Sequence, residues 1–291
     1  MNPIMYRSIV VGYDESSSSK AALKEAARWV KTHGGKLFIV HAVYFDQEEF
    51  TVLPSQMEKR FQFGAQVCQE AKLTMHDEFG LSGSIRSIVC EGEPPKMIID
   101  AAREEHADLI ALGTYGRKGL KRLFMGSVTS QVIQDAPCDV LVVNRECVSC
   151  TGNFTSLLVP FDGSDAGRKA VARACELSRF GGGRITVLAV VPRYADAMDF
   201  LKTEDLTHKM FQEAEKLLEA PKKIASERGV AVTTVVREGH AAEEIVAAAA
   251  SGGNDLIVVG SPAWSGMERA LMGGAVERII AHAACPILVV K

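Results

Sequence analysis

Apolar residues fall in short continuous runs bounded by glycine, proline or polar positions, and between these runs lie longer stretches with apolar residues at helical spacing. The runs predict strands at Ser8–Gly12, Lys36–Val43, Ser84–Cys90, Asp108–Leu112 and Asp139–Val143, then Ser156–Pro160, Arg184–Val191, Ala231–Arg237, Asp255–Gly260 and Pro286–Val290. The intervening pattern predicts helices over 17–32, from the end of a loop near 46–54 through about 79, over 95–106 and 127–135, then over 165–179, 204–228, 242–250 and 274–282. Strand and helix alternate throughout. Strands without polar alternation are expected where helices cover both faces, so the pattern predicts an α/β protein of two open, doubly wound parallel sheets.

The two sheets come from an internal duplication. Asp108-Leu-Ile-Ala-Leu-Gly113 recurs 147 positions later as Asp255-Leu-Ile-Val-Val-Gly260. The same offset carries Glu91-Gly92 onto Glu238-Gly239 and Met125-Gly126 onto Met272-Gly273. Near the start, Asp14 meets Asp162 at an offset of 148. A period this long marks a repeated domain, since solenoid units run to roughly 20–50 residues. The expected domains are 1–147 and 148–291, joined through the polar stretch 144–155.

Composition narrows the function. With 291 residues, 47% apolar and 24% charged, the chain can build two cores, and a net charge of −3 argues against a nucleic-acid binder. No apolar run approaches the roughly 18 residues that span a bilayer, and residues 1–7 lack a signal-peptide core, so no membrane partner and a cytoplasmic location are expected. Seven cysteines, an odd number, fit a reducing compartment. Cys147 and Cys150 form a single CxxC in the join; loose thiols, a redox pair and a metal shared across a dimer stay open.

The candidate chemistry lies in Gly113–Ser127, GTYGRKGLKRLFMGS, between a predicted strand and a predicted helix. Glycines at 113, 116 and 126 let main-chain N–H groups approach an anion, and the helix start adds unpaired N–H groups and the positive end of its dipole. Arg117, Lys118, Lys121 and Arg122 add positive charge. A solvated basic loop with turn glycines is the alternative.

Gly113-x2-Gly116-x9-Gly126-Ser127 resembles the nucleotide pattern of the ATP-binding branch of the universal stress protein family, and the element order resembles that family twice over. The resemblance implies an adenine nucleotide alpha hydrolase-like fold and an ATP ligand, with or without Mg2+, ADP and AMP being alternatives. It implies that Asp14, after Gly12, meets ribose or adenine and that Ala42 and Val43 line the adenine pocket. Gly113, Gly116, Gly126, Ser127 and Val128 then hold ribose and phosphates, with Arg117 in the same loop. Capping of the helix beginning at 16–19 is a second job open to Asp14.

The second copy departs from the pattern. Gly260-x2-Ala263-x9-Gly273-Gly274 has Ala for the second glycine and Gly for the hydroxyl residue, while Trp264, Ser265, Glu268 and Arg269 alter the charge. The expectation is that the first copy binds ATP and the second binds weakly or not at all, with Asp162 leaving a nucleoside open to it. No nucleophile–base set stands out: His41 reads as a core or rim residue, and His240 has no nucleophile to serve. Ser251-Gly-Gly-Asn-Asp255 superficially resembles a pyrophosphatase loop but ends a predicted helix, which favours capping. Three classes follow: a nucleotide-binding stress regulator without fast turnover, a slow ATPase, and a nucleotide-free assembly protein. By the resemblance, terminal strands pair the two copies into a pseudo-dimer, and whole chains form homodimers.

Overall fold

The computed structural model describes residues 5–44, 54–114, 125–144, 152–193, 204–261 and 274–291. The chain forms two compact units, Met1–Asn153 and Phe154–Lys291.

In unit 1 the order is β1 (Ser8–Gly12), α1 (Ser17–His33), β2 (Lys36–Val43), α2 (Pro54–Phe79), β3 (Ile85–Glu91), α3 (Pro94–Glu104), β4 (Leu109–Gly113), α4 (Ser127–Asp135) and β5 (Asp139–Val143). The strands run parallel in the order β3-β2-β1-β4-β5. Ile9 pairs with Leu37 on one side and Leu109 on the other, so β1 and β4 are neighbours although two strands separate them in the chain. Helices α1 and α2 pack together, as do α3 and α4, covering the two faces. The core is the central strands: Ile9, Val10, Val11, Leu37, Ile39, Ile110 and Ala111 are wholly buried. Continuous apolar runs suit that position because no face of a central strand meets water.

Unit 2 repeats this with β6 (Ser156–Pro160), α5 (Asp165–Gly181), β7 (Arg184–Val191), α6 (Glu204–Leu217), α7 (Glu219–Glu227), β8 (Val232–Glu238), α8 (Ala241–Ser251), β9 (Leu256–Gly260), α9 (Ala275–His282) and β10 (Ile287–Val290). Its parallel order is β8-β7-β6-β9-β10. Both units are doubly wound sheets, as the alternation predicts.

One expected helix is two. The stretch 204–228 breaks at Leu218, between α6 and α7. Pro221 supplies the reason: without an N–H it cannot bond the Leu217 carbonyl one turn back, and its ring crowds that carbonyl.

A paired device begins each sheet. Asp108 accepts the N–H groups of Arg7 (2.8 Å) and Ser8 (3.1 Å), and Asp255 those of Thr155 (2.7 Å) and Ser156 (2.9 Å). The first aspartate of each repeated D-L-I motif therefore ties the start of the last-but-one strand of its unit to the first. In unit 1 the chain also returns to α1: Gly152, with φ +86°, lies where a Cβ would sit 2.5 Å from the Arg28 carbonyl oxygen, and its own carbonyl meets His33 Nε2 at 3.1 Å.

Candidate functional site

In each sheet the strand order turns back between the first strand and the fourth, and the crevice beyond their carboxyl ends is where such sheets bind ligands. In unit 1 that crevice lies at the ends of β1 and β4. The β1 end is a tight corner. Tyr13 N–H donates to the Val40 carbonyl (2.9 Å), and Asp14 Oδ1 accepts from Ser16 N–H (3.0 Å). Ser16, not Asp14, caps α1, its hydroxyl oxygen accepting from Ser19 N–H at 3.2 Å. Asp14, half-buried, closes a side-chain turn instead, just beyond the carboxyl end of β1. Between them Glu15 takes φ +65°, a left-handed conformation that costs a side-chain-bearing residue roughly 1 kcal/mol.

Register brings the other candidates to the same end. Gly12 pairs with Val40, Ala42 with Cys90 and Val43 with Glu91, and Val43 O accepts from Gly92 N–H at 3.1 Å. Ala42 is half-buried and Val43 buried. A Cβ on Gly12 would lie 2.6 Å from Leu112 Cδ2 of β4 and 2.7 Å from Ile98 Cδ1 of α3, so only its backbone could serve a ligand.

At the β4 end, Gly113 pairs with Val143, and Thr114 O accepts from Gly126 N–H at 2.9 Å. That bond closes the glycine loop on itself. Gly116, Arg117 and the rest of 115–124 lie outside the described residues. Gly113 is bare for a reason other than ligand approach: its Cβ would fall 2.5 Å from Ser18 C and Oγ and 2.6 Å from Ser19 N, in the first turn of α1. Gly126 differs, for its φ −63° and ψ 146° suit any residue. It caps α4 without a side-chain bond, so Ser127 and Val128 open a helix whose N-terminal amides face the crevice, with Ser127 exposed. Thr129, buried, donates its hydroxyl to the Gly113 carbonyl (2.7 Å) and fixes α4 against β4. The arrangement offers an acid, a small apolar wall and an uncapped helix N-terminus at one sheet end, which suits a ligand with an anionic tail.

Burial governs ionisation around this end. Tyr13, buried beside Glu15, has its hydroxyl pushed up to about 12, and burial in α2 pushes the Cys68 thiol up to about 11. His41 is buried and its Nδ1 lies 2.9 Å from the Tyr13 carbonyl oxygen, a structural bond rather than a catalytic pairing.

Unit 2 keeps the frame and alters the contents. Phe161 N–H donates to Leu188 O (2.9 Å), Asp162 Oδ1 accepts from Ser164 N–H (3.0 Å), and a Cβ on Gly260 would strike the Ala166 carbonyl. Val190 stands at the register position of Ala42. Gly274, at the offset of Ser127, lies outside the helix as the cap of α9. Val276 and Glu277 follow at the positions of Thr129 and Ser130. Val276 has no hydroxyl to hold the preceding strand, and Glu277 puts a carboxyl, raised by burial, into the first turn. Residues 262–273 lie outside the described residues.

The remaining motifs are structural. Ser251 ends α8 and Gly252 caps it, while Asn254 and Asp255 bond to the start of β6. His240 is the exposed N-cap residue of α8. Cys147 and Cys150 lie outside the described residues. Among the described residues no group of three or more His, Cys, Asp or Glu is placed to hold a metal, and no helix is long and apolar enough to cross a membrane. Sequence reasoning missed Thr129, Glu15 and the His41 bond; each differs between the copies (Val276, Gly163, Ala189), and that contrast was the available signal.

Known proteins match this picture twice over. The Universal stress protein family profile matches residues 5–144 and again 153–291. A universal stress protein of Methanocaldococcus jannaschii is 33% identical over 144 residues, 47% of this chain and 82% of its own length. One from Thermus aquaticus is also 33% identical over 144 residues, 48% of this chain and 99% of its own length. The crystal structure of a universal stress protein from Archaeoglobus fulgidus shares the fold over 98% of this chain and 96% of its own, with TM-score 0.72 at 18% identity. With one profile match in each of two α/β units built to the same strand order, the chain is a tandem protein that belongs to the universal stress protein family.

Proposed function

We propose that unit 1 binds an adenine nucleotide, ATP in the first instance, as the regulatory ligand of a stress-response protein without fast turnover. The observation that carries this reading is the uncapped N-terminus of α4 at the strand switch point, with Asp14 at the neighbouring strand end. In it, Asp14 meets the ribose or adenine, Ala42 and Val43 line the base, and the amides of Ser127 and Val128 meet the phosphates beside Gly126, whose own N–H is held by the Thr114 carbonyl. The backbone of Gly12 and Gly113 and the loop residues Gly116 and Arg117 belong to the same site, and Mg2+ accompanies the phosphates. ADP and AMP are weaker ligands in this reading because they present fewer phosphate oxygens to the helix.

Unit 2 binds nucleotide weakly or not at all. Glu277 in the first turn of α9 repels phosphate, and Val190 narrows the space that Ala42 leaves in unit 1. Whole chains self-associate in the cytoplasm, with neither nucleic acid nor membrane as partner. Denaturing freshly purified protein and identifying the released small molecule by mass spectrometry tests the ligand. An adenine nucleotide is expected; apoprotein that neither releases one nor binds added ATP would remove the reading.

A further inference from the structure

We infer that His41 is a positioning residue for the unit 1 ligand site: its Nδ1–H holds the Tyr13 carbonyl and so keeps the strained corner that presents Asp14. This deepens the nucleotide reading and rests on it.

The corner needs holding. Glu15 sits at φ +65°, whereas its counterpart in unit 2, Gly163, takes φ +84°, a conformation open to glycine without a Cβ penalty. The holding bond differs in step. His41 and Ala189 occupy the same register position: Tyr13 N–H bonds Val40 O, Phe161 N–H bonds Leu188 O, and His41 and Ala189 are the next residues along β2 and β7. Unit 1 therefore has a strained corner with a side-chain tie, and unit 2 a relaxed corner without one.

A backbone carbonyl only accepts, so the 2.9 Å contact fixes the proton on Nδ1. The ring is held in turn. It is 8% exposed, and Gly64 of α2 passes so close that a Cβ there would lie 2.9 Å from His41 Cδ2. A glycine inside a helix is unfavourable by itself, so this one makes room for the imidazole. Cys90 Sγ lies 3.9 Å from the His41 carbonyl oxygen, and Asp14 N–H reaches Ser19 Oγ at 3.3 Å. Thus β2 reaches Asp14 through one side chain.

The test is a double-mutant cycle on the full chain, read by calorimetry with Mg-ATP and, separately, with inorganic tripolyphosphate. His41→Gln keeps size and polarity but moves the amide past the Nδ1 position; His41→Asn places an N–H donor near it. The Gln variant should bind ATP roughly fivefold more weakly, the equivalent of one net hydrogen bond, and the Asn variant within about twofold of wild type. Tripolyphosphate binding should be unchanged in both, which a general loss of folding would not allow. In an Asp14→Ala background His41→Gln should cost nothing further, because its effect passes through Asp14. Wild-type ATP binding with an unaffected Gln variant, or the same loss in the Asp14→Ala background, would overturn the positioning role and leave the nucleotide site standing. Failure of the wild type itself to bind would overturn both.

Discussion

Gly113→Ala separates two explanations of a glycine in a nucleotide motif. If Gly113 is bare to admit a ligand, adding a methyl should leave stability alone. The geometry says otherwise: the new Cβ would lie 2.5 Å from Ser18 C and 2.6 Å from Ser19 N, roughly 1 Å inside ordinary contact. Both atoms are backbone in the first turn of α1, so relief requires the helix start to retreat. Overpacking of this kind costs about 1–3 kcal/mol, and loosening the 3.2 Å Ser16–Ser19 cap adds about 1 kcal/mol. The expected loss is therefore about 2–4 kcal/mol. The chain has two tryptophans, Trp29 and Trp264, so urea unfolding followed by fluorescence in a Trp264→Phe background reports on the unit that holds Trp29. Gly126→Ala is the control, because its backbone angles suit alanine, and it should cost no more than about 1 kcal/mol. A Gly113→Ala protein within about 0.5 kcal/mol of its parent would refute the packing argument.

Other expectations follow from the same contacts. Thr129→Val, which copies the unit 2 residue, should destabilise unit 1 by about 1–2 kcal/mol by removing the 2.7 Å bond to the Gly113 carbonyl, measured by the same urea titration. Burial, with the Trp29 ring centroid at 4.2 Å, lowers the His33 pKa despite opposing bonds to Gly152 and Asn153. The unfolded chain then binds more protons, so stability is full above the ordinary histidine range and falls as pH drops through it. His33→Asn should flatten that slope between pH about 7.5 and 5.5, and a slope equal to wild type would refute the assignment. Cys68, buried with its thiol pushed up to about 11, should resist iodoacetamide in the native protein and react after urea denaturation, as peptide mass mapping would show.

The architecture was legible because central strands buried on both faces must be apolar throughout, and Val10, Val11, Ile110 and Leu157 are such residues. The duplication was legible as a fixed offset. What escaped depended on contacts between distant segments. Nothing local to Gly113 announces that Ser18 lies against it, and nothing in V-H-A-V shows that His41 reaches the Tyr13 carbonyl. The break before Pro221 is legible in principle, since a proline inside a helical pattern removes a bond one turn back. Asp14 is legible as an acid at a strand end but not as a turn residue, because the cap position falls on Ser16, two residues further along the chain.

The central claim is that one copy of this duplicated protein is built for a nucleotide and the other is not. Calorimetric titration of the nucleotide-free full chain with Mg-ATP tests it most directly. The account predicts one site per chain, weakened by Asp14→Ala and left unchanged by Asp162→Ala. Two equal sites, or binding that is unchanged by Asp14→Ala and weakened by Asp162→Ala, would contradict it.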